Sequence, residues 1–76
     1  MEPKKVAAHH EAMVHMQKAT ELLRESVKVH ESEVAGHLSH EEAIPRAVAL
    51  NEKAAGESGL AAEAIRDFLD DDPKRD

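Results

Sequence analysis

Residues 3–35 read PKKVAAHHEAMVHMQKATELLRESVKVHESEVA, and this stretch decides the fold. Pro3 suits the first position of a helix, where its missing N–H leaves no bond unmade. From Lys4 to Ala35 there is neither glycine nor a second proline over 32 residues. A helix of that length is about 48 Å long, whereas a compact globule of 76 residues is roughly 30 Å across. The helix therefore cannot be enclosed by the rest of its own chain.

A heptad read from Val6 places Val6, Met13, Thr20, Val27 and Val34 at a, and His9, Met16, Leu23, His30 and His37 at d. Ala12 and Ala19 flank this stripe at g and widen it into a face able to meet two neighbours rather than one. A wide stripe favours a bundle over a two-stranded coiled coil.

The first interruption is Gly36. Ser39-His40-Glu41-Glu42 then forms a Ser-x-x-Glu capping box with Leu38 just before the cap, which predicts a second helix over about 40–55. Pro45 conflicts with it, because it cannot donate to the carbonyl of Glu41; a kink, or a helix start at Ile44-Pro45, is expected. Gly56-Glu57-Ser58-Gly59 pairs a terminating glycine with a fresh cap serine and predicts a break at 56–59. A third segment, with Leu60, Ala61, Ala64, Ile65, Phe68 and Leu69 at helical spacing, extends the pattern over about 59–71, and residues 73–76 are expected to fray.

These signals give one all-α domain over residues 1–76. Its first helix covers about 3–35, a turn occupies 36–39, and an interrupted second arm returns alongside. Charge supports the return. Lys4 and Lys5 at a helix start and Asp70, Asp71 and Asp72 at a helix end both oppose the macrodipole, and an antiparallel hairpin brings the two misfits together. A hairpin covers only one seam, so two hairpins are expected to pair into a four-helix bundle. The alternative is a three-helix monomer with a protruding first helix.

Composition narrows the function. With no cysteine there is neither a disulfide nor a thiolate metal site, and a chain this short has a marginal core, which makes oligomerisation the natural source of stability. The run after Lys5 is too short for a signal peptide and no segment approaches the roughly 20 apolar residues of a membrane span, so a soluble, cytoplasmic protein is expected. The net charge of −6 is uneven: residues 1–38 carry five basic and six acidic side chains, residues 39–76 five and ten. Nucleic acid and anionic membranes are disfavoured, since phosphate contacts need clustered Lys or Arg and base stacking needs aromatics, of which Phe68 is the only one.

Six histidines raise a second class of function. His30, Glu33, His37, His40 and Glu41 cluster around the turn and offer imidazole and carboxylate ligands for Zn, Cu or Ni. His9, Met13 and Met16 share a helical face whose thioethers would suit copper(I). Against both, no two histidines stand at i, i+4, and methionine at heptad spacing is usually core. There is no phosphate loop and no nucleophile triad, so no catalytic residue is assigned and no cofactor is required. The leading expectation is a non-enzymatic protein that self-associates as a homodimer and acts by protein–protein interaction, as a scaffold, adaptor or inhibitor. Met13, Met16, Leu23 and Val27 would carry self-association, and Asp70, Asp71 and Asp72 would meet a basic patch on a protein partner. Transition-metal binding is the alternative.

Overall fold

The computed structural model describes residues 1–68 and shows two helices, α1 (Pro3–Val34) and α2 (His40–Arg66), packed against each other as an antiparallel hairpin. Its extents are 55 × 20 × 16 Å and its radius of gyration is 17.3 Å, against about 11 Å for a compact chain of this length.

Local chemistry fixes the ends of both helices. Pro3 opens α1. Gly36, at φ +83°, closes it: the N–H of Gly36 bonds the carbonyl of Glu33 at 3.0 Å and the N–H of His37 bonds that of Ser32 at 2.9 Å, the paired bonds of a Schellman motif. Three residues later the Ser39 hydroxyl accepts the N–H of Glu42 at 3.1 Å, while the Glu42 carboxylate accepts the N–H of Ser39. This capping box starts α2 at His40, not at Ile44-Pro45. Pro45 lies exposed inside the helix, on a side that no other element covers.

The expected break at 56–59 is absent, because α2 runs unbroken from His40 to Arg66. Gly56 and Gly59 take up ordinary helical backbone, as Gly36 is the only glycine at positive φ. Two glycines in a helix cost about 1 kcal/mol each relative to alanine. The helix tolerates this because its buried series continues across them, with Ala54 before and Ala61 after. The region predicted as a separate third helix is thus the last part of α2; the expected extension to residue 71 and the frayed tail at 73–76 lie outside the described residues. A methyl group at Gly56 would meet nothing within 4 Å. Gly56→Ala should therefore stabilise the protein by about 1 kcal/mol and raise the melting temperature by roughly 4–8 °C. A lowered midpoint in a thermal scan would show that the glycine is needed.

The seam between the helices is built from small residues. Ala8, Ala12, Ala19 and Ser26 of α1 are buried, and so are Ala43, Ala47, Ala54 and Ala61 of α2. Ala12, Ala19 and Ser26 recur every seven residues, as do Ala47, Ala54 and Ala61, so each helix keeps one narrow edge toward the other along its length. His15, Leu22 and Val29 alternate with the first series, and Leu50, Glu57 and Ala64 with the second; all six are half-buried. The predicted a/d stripe is consequently not the seam within the hairpin. The covered positions lie one step round α1, at the flanking alanines, since only small side chains let the two helices approach closely.

Candidate functional site: an apolar face beside a histidine–glutamate pair

One half-buried polar pair interrupts the alanine seam. Nδ1 of His15 lies 2.6 Å from Oε2 of Glu57, with 18% and 25% of the two side chains exposed. An ionised carboxylate can only accept, so Nδ1 carries the proton and donates. On the other side of the ring, Nε2 lies 3.9 Å from Oε1 of Glu11. A second pair closes the seam at the turn, where His40 Nδ1 is 2.8 Å from Glu33 Oε2. The two pairs fix the register of the hairpin: Ala19 falls level with Ala54, Ser26 with Ala47 and Leu22 with Leu50.

His15 and Glu57 belong to no residue set anticipated from the sequence. The signal was present in α2, where Ala47, Ala54 and Ala61 repeat with the same period as Ala12, Ala19 and Ser26. Aligning the two series antiparallel puts residue 57 opposite residue 15. A seam of alanines slips easily by one heptad, and a polar pair that can bond in one alignment only opposes that slip. His15→Leu alone should destabilise the hairpin by about 1–3 kcal/mol, because it leaves the Glu57 carboxylate without its donor. Adding Glu57→Leu should recover most of the loss, since an apolar pair of similar size is often neutral or stabilising. Urea unfolding of the three variants checks this; a double variant no more stable than His15→Leu would contradict it.

Beside the seam, the large apolar residues of α1 stand open. Val6, Met13, Met16, Leu23 and Val27 are each about half exposed and Val34 is 89% exposed. In an antiparallel pair the residues next round from the seam on both helices point to the same side. Ile44, Val48, Ala55, Ala62 and Ile65 of α2 thus share one face of the hairpin with the α1 stripe. The opposite face carries Lys4, Glu11, Lys18 and Glu25 from α1, with Arg46, Lys53 and the exposed Leu60 from α2. Along the outer edge of the apolar face, Met13, Met16, Gln17, Thr20, Glu21 and Arg24 line an open groove.

The anticipated metal ligands are dispersed in this frame. Of the turn cluster, only Glu33 and His40 are brought together. His30 is exposed on α1, His37 follows the turn glycine and Glu41 stands exposed in the first turn of α2. Among the described residues no group of three or more His, Cys, Asp or Glu side chains is placed to hold a metal ion. His9, Met13 and Met16 are all exposed along the apolar face, as is His30; none of the d-position histidines is buried in the hairpin. Met13, Met16, Leu23 and Val27, named for self-association, lie together on that face. Asp70, Asp71 and Asp72, named for a basic partner, lie outside the described residues. No helix among the described residues is long and apolar enough to cross a membrane. Comparison with family models, with curated proteins and with solved structures found no match.

Proposed function

We propose that this protein is a non-enzymatic helical module that works by association: its hairpins pair through the apolar face, and the assembled four-helix body presents its charged outer surface to another protein. One observation supports this most strongly. Seven large side chains on a single face (Val6, Met13, Met16, Leu23, Val27, Val34 and Val48) are between 47% and 89% exposed, while among the described residues no large side chain is fully buried. Large apolar side chains grouped on one exposed face mark an interaction surface.

Energetics run the same way. Each buried methyl of the seam contributes about 0.8 kcal/mol, roughly a quarter to a half of a buried leucine. The fully buried positions are thus the smallest apolar residues, while many of the larger ones stay half or more exposed, which favours a partner over solvent. The direct test is thermal unfolding at protein concentrations a hundredfold apart. Association coupled to folding shifts the apparent stability by about 2.7 kcal/mol over that range, a change of several degrees in the midpoint. A midpoint independent of concentration would overturn the reading.

A further inference from the structure

We infer that the occupant of the apolar face is a second copy of this chain, docked with its turn at the same end as the first, so that α1 of each copy lies on α2 of the other. This rests on the self-association reading and specifies its geometry. Two hairpins stacked face to face are related either by a two-fold axis parallel to the helices or by one perpendicular to them. The parallel axis leaves no freedom of register, because it keeps every residue at its own height; the heights are already set within the hairpin by His15–Glu57 and Glu33–His40.

In that fixed register the two faces match residue by residue. The large side chains of α1 fall at gaps between smaller ones of the second copy's α2. Met16 comes level with the interval from Ala55 to Ser58, Leu23 with that from Val48 to Asn51, and Val27 with that from Ile44 to Val48. Polar residues meet polar residues: Thr20 lies within two residues of the level of the second copy's Asn51, and His30 within two residues of that of its Glu41. At the edge, the second copy's Glu52 comes to the groove of Met16 and Thr20, where Gln17 and Arg24 offer two donors against the one opposing carboxylate of Glu21.

The perpendicular axis does worse. Centred on Thr20, where the α1 stripes overlap best, it sets Met16 against Leu23 and Met13 against Val27. It also places Glu52 against Glu52 of the other copy and Glu41 against Ile65. A like-charge contact and a carboxylate on an apolar residue both oppose that docking. The match of charges and sizes therefore selects the parallel axis.

The chain has no cysteine of its own, so single substitutions report proximity cleanly. Thr20→Cys and Asn51→Cys are both at exposed positions of the hairpin and leave the seam intact, which circular dichroism verifies. A disulfide needs the two Cβ atoms about 3.5–4.5 Å apart. Under mild oxidation, a mixture of the two variants should give a mixed 20–51 disulfide dimer, and Thr20→Cys alone should stay uncrosslinked. A dimer by light scattering in which Thr20→Cys links to itself, or in which the mixture gives no mixed disulfide, overturns this docking but leaves self-association standing. A wild-type protein that is monomeric by the same measurement overturns both.

Discussion

Replacing Leu23 with glutamate is expected to convert the protein from dimer to monomer. Leu23 is half exposed in the hairpin, and Leu and Glu have nearly equal helix propensity, so the substitution leaves the isolated hairpin almost untouched. In the proposed dimer the same side chain would face the apolar surface of the second copy, where an unpaired carboxylate costs several kcal/mol. Two-fold symmetry would place two such charges in one interface. Each 1.4 kcal/mol is tenfold in a dissociation constant, and the expected weakening is at least on the order of a hundredfold. Sedimentation equilibrium across a range of concentrations measures it. A Leu23→Glu protein with the mass and melting curve of wild type would show that this face contacts nothing.

The second large effect is steric and lies within the hairpin. Ala54 is 3% exposed and level with Ala19, which is 5% exposed. Ala54→Leu adds three carbon atoms where two helices meet through methyl groups. Overpacking of this kind costs about 1–3 kcal/mol, while the change in helix propensity amounts to only a few tenths. The expected fall in melting temperature is roughly 4–8 °C per kcal/mol. Ala49→Leu, on an exposed turn of the same helix, should leave the midpoint near that of wild type. Ala19→Gly costs about 1 kcal/mol by itself, but combined with Ala54→Leu it should cost less than the sum of the two single losses, because it vacates the facing volume. A similar loss at both alanines would mean that the leucine acts through the helix and not through the seam.

The architecture was legible where the chain carries its own local instructions. Thirty-two residues without a helix breaker, the glycine at 36 and the Ser39–Glu42 box are short-range signals, and each produces the local structure expected of it. The break at 56–59 was misread because Gly56 and Gly59 are also short-range signals, but there the long-range series Ala47, Ala54 and Ala61 prevails. A helix held along one edge by a partner can absorb two glycines that would end it in isolation.

The seam was harder to read for a related reason. Large apolar residues are ordinarily inside, so Val6, Met13, Leu23 and Val27 define the heptad, and the alanines one position away read only as flanks that widen it. Close helix approach reverses that order, since the smallest residues mark the tightest contact. His15 and Glu57 then follow from alignment of the two alanine series, a pairing that neither helix reveals alone. The turn histidines show the opposite limit. His30, His37 and His40 are near in sequence, yet among the described residues they join no group of three or more His, Cys, Asp or Glu side chains placed to hold a metal ion.

The central claim is that the apolar face of the hairpin is covered by a second copy of the chain. Light scattering coupled to gel filtration tests it most directly, on untagged wild-type protein at concentrations of tens of micromolar. The account predicts a single species at twice the 8.3 kDa mass of the chain. A species at 8.3 kDa under those conditions would contradict it.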